Sequence, residues 1–514
     1  MKNFIRTLGL LFLVIFAGCN RLDDNQATPT TANESVLVQK QNPVSVPTEA
    51  MYNRSELDNR VVALQAERHD FHWEWTDMRT LWSAANQTFE VALGYKPAHI
   101  ENIDPIIHQI NLQSKEWRSV HDALLNLVLE GLNKNGQTVT LNDILIEDDT
   151  VLPILILRIK DKEVLTQLYN LKNVRYLEPY GYWPAAWDNR SSSGCSGSSQ
   201  ALNAADYTTI TPGCKLPWNY NNVNIPAAWA SAEGQGIRIG VIDAGISSSQ
   251  SLLGSQFNDG MSNVGRNITT DYTYGTSAYT SCTHGTSMTG LAAGPRNAQN
   301  ATTGVSYKSS LHFIRGCADV VLDASSELTG VKNALKKMGD LTDIKIISMS
   351  VGTPFSSGTL KDGVTYAYNK GKLIFAATGT SFSWTSWWGV IYPAALSQCQ
   401  AVTGVNESSS TCSDCHDGSQ VDFTIPMERN ANTNRSSLSL APSGFNPTYI
   451  GGSSCATAIT AGIAGLIWSV NPMLTRTQII TAMQQTSQYY PNPNSSRGYG
   501  NVNAGAAVAL AATY

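Results

Sequence analysis

The stretch GIRIGVIDAGI (236–246) decides how the rest of the chain is read. From Ile237 to Ile242 it is an apolar, β-branched run, which predicts a buried strand of a parallel sheet. Asp243 then stands at the carboxyl end of that strand, where open α/β sheets keep their sites. A buried strand would fix its carboxylate.

Two further segments, far apart and in fixed order, carry the same signature: THGTSMTGLAAG (283–294) and GGSSCATAITAG (451–462). His284 is followed by small and apolar residues at helical spacing, so the imidazole is expected at a helix start, with lowered proton affinity. Ser454 opens a run from Ala456 to Val470 that Pro472 closes, placing its hydroxyl at the positive end of a helix dipole. Gly451 and Gly452 leave the backbone room to approach a substrate. Singly, an Asp after a strand is more often a turn residue, a lone His structural and a Ser-Ser pair a loop. Together they supply what acyl transfer needs: a hydroxyl to attack, an imidazole to take its proton and a carboxylate to orient the imidazole.

In the order Asp, His, Ser the three segments resemble the subtilisin-like serine proteases, the subtilases. The resemblance implies an α/β three-layer fold with a mostly parallel central sheet, and a serine endopeptidase whose triad is Asp243, His284 and Ser454. It extends over about residues 215 to 514. IISMSVGTP (346–354) and KLIFAATGT (372–380) look like the two walls of the primary specificity pocket, which assigns Ser350, Val351 and Gly352 to one wall and Ala377 and Gly379 to the other. Ile391 falls at the pocket base, where its bulk favours small or medium apolar substrate residues. NPMLTRTQIITAM (471–483) and GYGNVNAGAAVALA (498–511) resemble the family's closing segments.

Four positions depart from the family pattern. Thr380 replaces an asparagine that helps bind the oxyanion beside Ser454, so the hole is expected to be weaker or completed by Ser381. Loss of one such donor costs about 10²–10³ in rate, against about 10⁶ for loss of the serine or histidine. Cys455 replaces a methionine, Ala458 a proline and Gln250 a histidine, none of which removes a proton-transfer or nucleophilic group. Thr380 keeps a second reading open: a catalytically weak or inactive subtilase-like peptide-binding protein.

Residues 1–18 carry Lys2, Arg6 and an apolar run from Leu8 to Phe16, which reads as a signal peptide. Cys19 after Ala-Gly resembles a bacterial lipoprotein signal, which implies lipidation at Cys19, a membrane attachment through that lipid, and export to the cell envelope or beyond it. Residues 19–50 read as a flexible tether. Residues 51–186 read as a small α+β prodomain ahead of a catalytic domain at 187–514. Within it VLPILILRIKDKEVLTQLYNLKNVRYLEPY (151–180) reads as strand, helix, strand and resembles the last half of a subtilase inhibitory propeptide, FEVALGYKP (89–97) fits its first strand, and a longer helical insertion falls around Ile106 to Leu132. Val61 to Trp82 reads as one amphipathic helix that sets His69 and His72 a turn apart, without a third metal ligand at a recognisable spacing.

Apart from Cys19 there are eight cysteines in an exported chain, where disulfides persist. The subtilase resemblance places Cys282 and Cys317 beside the catalytic histidine and favours that bridge. Cys195 and Cys214 flank a Ser/Gly-rich stretch and form the second expected pair, while Cys399, Cys412 and Cys415 compete for the remainder. Cys412-Ser-Asp-Cys415-His416 also has the form of a c-type haem attachment, although a disulfide or redox loop is the stronger reading. The formal net charge of −5, with charges mixed along the chain, gives no basic stripe for nucleic acid. The implied partners are protein or peptide substrates and the chain's own propeptide. The family resemblance implies no cofactor for the chemistry and allows structural calcium, although RNAQNATTGVSY (296–307) lacks a clear acidic ligand set.

Overall fold

The computed structural model describes residues 36–134, 138–185, 195, 201–380 and 389–514. The signal-type segment, Cys19 and Ser381 lie outside the described residues. Residues 36–514 form one compact unit.

Four strands, β1 (Glu90–Tyr95), β2 (Leu145–Asp148), β3 (Ile154–Arg158) and β4 (Val174–Pro179), pair antiparallel in the order β2-β3-β1-β4. The helices Lys115–Asn133 and Lys162–Tyr169 accompany this sheet, and Leu93, Leu124, Leu155, Leu157 and Leu165 are fully buried in a core that also takes in Phe355 and Tyr366. The expected single helix over 61–82 is instead two, Arg54–Arg68 and Met78–Thr88. His69 closes the first in the left-handed region at φ 54°, and Asp77 starts the second by accepting from Thr80 N at 2.7 Å. His69 and His72 are therefore not a helical pair. His72 Nε2 instead meets Asp70 Oδ2 at 3.1 Å and Tyr392 Oη at 3.0 Å.

The tether expected over 19–50 does not extend past Val36, and residues 19–35 lie outside the described residues. From Val36 the backbone lies along the turn before β4, where Asn173 Oδ1 accepts from Val38 N and Asn170 Oδ1 from Val44 N, both at 2.8 Å.

A short ribbon of β5 (Tyr207–Ile210) and β6 (Cys214–Pro217) leads into a nine-stranded sheet. Its strands are β7 (Arg238–Asp243), β8 (Ile268–Tyr272), β9 (Ser310–Arg315), β10 (Ile344–Met349), β11 (Leu373–Ala377), β12 (Cys399–Asn406), β13 (Val421–Arg429), β14 (Asn432–Ser439) and β15 (Thr448–Ile450). The spatial order is β15-β14-β13-β12-β11-β10-β7-β9-β8, parallel from β8 through β13 and antiparallel at β14 and β15. β7 is buried over Ile239 to Asp243, as a near-continuous apolar strand covered on both faces must be. The fold is the subtilisin-like α/β arrangement, with a mostly parallel central sheet flanked by helices.

The helix Gly452–Val470 is long and apolar enough to cross a membrane, yet 83% of its apolar window is buried inside the protein. It is the central core helix, with Ala456, Ile459, Ile463 and Leu466 fully enclosed. Its amino end meets the carboxyl ends of the parallel strands, and that junction holds the site.

Candidate active site

Asp243 ends β7 and is fully buried, and His284 begins the helix His284–Ala293 at 6% exposure. His284 Nδ1 lies 2.8 Å from Asp243 Oδ1 and 3.0 Å from Oδ2, while Ala244 N donates to Oδ1 at 2.8 Å. The imidazole's proton affinity is raised, not lowered as its helix-start position suggested. Burial alone would lower it, but the charge and hydrogen bond of Asp243 outweigh burial.

Ser454 sits in the first turn of Gly452–Val470, and Ser350 Oγ donates to its carbonyl at 3.0 Å. His284, Ser454, Thr380, Ser350, Val351, Gly352, Ala377, Gly379 and Ile391 all line one cavity of about 580 Å³. Among the described residues no hydrogen bond joins Ser454 to His284. Such contacts are often long in a site without substrate.

Thr380 follows β11 and faces the serine helix closely. A Cβ on Gly452, at φ 78°, would stand 2.7 Å from Thr380 Oγ1, so glycine is required there twice over. Ser453, which the sequence reading passed over, links the two: Gly379 N donates to Ser453 Oγ at 3.1 Å, and Ser453 Oγ lies 3.3 Å from Thr380 Oγ1. The doubled serine in GGSSCATA was the available signal.

His416 is a second residue whose place the sequence did not give. Its Nδ1 donates to Gly389 O at 2.7 Å, its carbonyl accepts from Thr378 and Thr403, and its ring packs where a Cβ on Gly379 would stand. Burial lowers its pKa to about 4, so it is a neutral prop behind the Gly379 wall.

The pairs Cys282–Cys317 and Cys195–Cys214 are not formed, whereas the Cys412–Cys415 loop is the disulfide that was its stronger reading. The disulfides are Cys195–Cys282 and Cys412–Cys415, and Cys214, Cys317, Cys399 and Cys455 are free and buried. Cys214 is held away by β6, whose Lys215 hydrogen-bonds with Ala301 and Thr303, while Cys195 reaches the loop just before His284. Cys282 is thereby taken, and Cys317 remains an enclosed thiol whose pKa burial pushes up. The sulfurs of Cys412 and Cys415 are bonded to each other, which excludes their use as haem thioethers in this state. Gln250 is buried, donating to Ala441 O and Gly444 O, and Cys455 belongs to the core.

The loop 296–307 does not fit a calcium ion. Lys215 Nζ donates to Asn300 O, Asn297 spends its amide on Pro295 O and Thr302 O at 3.0 Å each, and Asp259 accepts from Ala298 N at 2.8 Å. An ammonium thus serves the carbonyl that a cation would need. Among the described residues the one cluster of three metal-ligand types is Cys195, Cys282 and Asp319, whose two sulfurs are already bonded.

Residues 234–502, just over half of the chain, match the model of the family described as the Subtilase family. Thermitase of Thermoactinomyces vulgaris is 29% identical over 290 residues, covering 56% of this chain and 93% of its own. Subtilisin E of Bacillus subtilis is 30% identical over 300 residues, covering 57% of this chain and 71% of its own. Among solved structures, MycP1 from Mycobacterium smegmatis is 17% identical, covering 60% of this chain and 89% of that one with a TM-score of 0.46.

Proposed function

The chain belongs to the subtilase family, and from that premise we propose that it is a serine endopeptidase acting through Asp243, His284 and Ser454. The observation that carries this reading is the buried Asp243 to His284 Nδ1 contact of 2.8 Å, in one cavity with a serine at the start of a 19-residue helix.

A substrate side chain lies between Ser350–Gly352 and Ala377–Gly379, above Ile391. Ser454 Oγ attacks the carbonyl carbon as His284 Nε2 takes its proton, and Asp243 holds Nδ1–H and stabilises the imidazolium. The oxyanion is met by Ser454 N–H and by Thr380. Gly379 N–H donates to Ser453 Oγ, and of the two donor directions open to the 3.3 Å contact between Ser453 Oγ and Thr380 Oγ1, the one in which Ser453 donates leaves the threonine proton free for the oxyanion. His284 then gives its proton to the leaving amine, and water hydrolyses the acyl-enzyme by the same route in reverse. The raised affinity of His284 puts the acid limb of activity above its ordinary pKa of 6.5. Thr380 favours the second reading, a weak or inactive peptide-binding protein, only through its shorter reach.

The four-stranded region is read as an inhibitory propeptide and the chain as a zymogen. What supports this is its seat on the helices Ser325–Asp340 and Gly358–Asn369, where Arg175 bonds Asp362 and Asp149 meets Lys332 and Lys336. A cut within residues 180–190 leaves the lipid proposed at Cys19 on the propeptide and frees the catalytic part from the membrane. Cys195, bonded to Cys282, then holds the new amino end beside the site.

Casein hydrolysis and fluorophosphonate labelling test the assignment. Wild type is expected to show both and to process itself. Ser454→Ala should lose about 10⁶ in rate, lose labelling, and remain full length and membrane-bound. Labelling that survives in the variant sinks the assignment, and peptide binding without cleavage by wild type selects the second reading.

A further inference from the structure

The cavity around Ser454 is lined by two carboxylates, Asp414 and Glu428, and by no lysine or arginine among the described residues. Glu428 is only 6% exposed. Its Oε2 accepts from Ser413 N at 2.7 Å, while its buried Oε1 has no hydrogen-bond partner. The cations next along the hairpin are engaged elsewhere: Arg429 bonds with Asp206 and Glu407, and Arg435 with Asp206. Asp414 is exposed and lines the same cavity. Partial burial and the neighbouring Glu428 charge raise its pKa, as two carboxylates without a counter-ion require.

The loop bearing Asp414 is fixed. Cys412 and Cys415 close it as a disulfide, Thr380 bridges to Cys415, and a Cβ on Gly404 would stand 2.6 Å from Cys415 Sγ. The acidic pair therefore sits at a defined place relative to Thr380.

Sheet order says which place. The specificity walls follow β10 and β11, whereas Asp414 follows β12 and Glu428 ends β13, so the carboxylates lie past Thr380 and away from Ser350–Gly352. With the substrate side chain between the walls and its carbonyl at Thr380 and Ser454, the peptide beyond the scissile bond runs over the β12 and β13 ends. We propose that Asp414 and Glu428 form a subsite on the leaving-group side that selects a lysine or arginine within the first two residues after the cut. This rests on the protease reading above.

The chain's own junction fits. Between Arg175 and Lys215 the sequence holds a single Lys or Arg, Arg190, at the end of the stretch where the propeptide cut is placed. Self-processing just ahead of Arg190 would present it to this subsite.

The test uses internally quenched peptides identical except for Arg, Ala or Glu at the first or second position after the scissile bond. Wild type should cleave the Arg peptide with kcat/KM about fivefold above Ala, with Glu lowest, as a partly exposed ion pair allows. Asp414→Asn and Glu428→Gln should each bring the Arg-to-Ala ratio toward one. Should either variant misfold, 1 M salt on wild type serves instead, because screening to about 3 Å should shrink the same ratio. Equal cleavage of Arg and Glu peptides by a wild type that labels with fluorophosphonate overturns the subsite alone. No cleavage and no labelling overturns the protease reading with it.

Discussion

Two polar surfaces of this chain treat charge in opposite ways. Where the four-stranded region meets the helices Ser325–Asp340 and Gly358–Asn369, the fully buried Asp362 and Asp149 are each met by cations of the chain itself. Arg175 grips the fully buried Asp362 through two bonds of 2.8 and 2.6 Å, and Tyr176 adds a third at 3.1 Å. Lys332 and Asp149 are both fully enclosed and lie 2.6 Å apart, with Lys336 on the other carboxylate oxygen. Burial pushes Asp149 up, but the two ammoniums outweigh it and hold its pKa at about 2. In the cavity, by contrast, Glu428 Oε1 and His416 Nε2 are buried without a partner. A buried polar atom left unpaired costs about 1–3 kcal/mol. A scaffold removes that cost from within, whereas at Glu428 we assign the missing partner to a substrate.

If the comparison is sound, mutations on the two surfaces should separate rate from stability. Thr380→Val keeps the shape and removes the hydroxyl, and should lower kcat by about 10²–10³, with KM and melting temperature little changed. Arg175→Ala strands the Asp362 carboxylate and should destabilise the full-length Ser454→Ala chain by about 3 kcal/mol. Steady-state kinetics on the mature enzyme and thermal melts on the uncut chain measure the two arms. A Thr380→Val enzyme with unaltered kcat would remove the threonine from the oxyanion hole.

Glu178, half-buried at that interface, is an exception that sharpens the contrast, since it is held by a backbone amide and not by a direct cationic bond. Its two oxygens share Gly358 N at 2.9 and 3.0 Å at the start of a helix. Burial dominates and pushes its pKa from 4.5 to about 8. The docked state then holds more protons than the separated or unfolded one between those values, so its stability is full below about pH 4.5 and falls as pH rises toward 8. The loss is on the order of 4 kcal/mol at most across that range. Melting Ser454→Ala with and without Glu178→Gln at pH 5 and 8 checks the sign: the glutamine variant should show the flatter pH dependence. A variant that steepens it would reverse the assignment.

The difference between the surfaces also marks what could be read from the sequence. Asp243, His284 and Ser454 were legible because each ends or begins an element whose period is local: an apolar strand, or small residues at helical spacing. Pairings that depend on distant strands were not. Asp414 and Glu428 lie 14 positions apart and meet only because β12 and β13 are neighbours, and Cys195 reaches Cys282 across a separation of 87. The break in the 61–82 helix escaped notice because it rests on His69 in the left-handed region, where a glycine or asparagine would have announced it. The direction of the His284 shift was misjudged from the helix alone, since the nearer charge of Asp243 governs it.

The smallest expected effect concerns Lys215, a cation built into the scaffold where the family allows calcium. Its ammonium donates to Asn300 O and lies 5.3 Å over the Tyr207 ring, and burial lowers its proton affinity without supplying a carboxylate partner. A calcium ion entering the 296–307 loop would have to displace that ammonium and find acidic oxygens, and Asp259 already accepts from Ala298 N. Binding to the native state alone stabilises a protein by mass action, so a bound ion would be visible as a concentration-dependent melting temperature. Chelation with EDTA, or millimolar calcium, should therefore shift melting by no more than about one degree, below the several degrees that 1 kcal/mol gives a small domain. Lys215→Met should lower the melting point in either condition, because it leaves the Asn300 carbonyl without its donor. A clear rise with calcium in the unmodified chain that Asp259→Ala abolishes would show that this loop gathers an ion after all, and that the scaffold leaves one of its own polar groups for a ligand just as the cavity does.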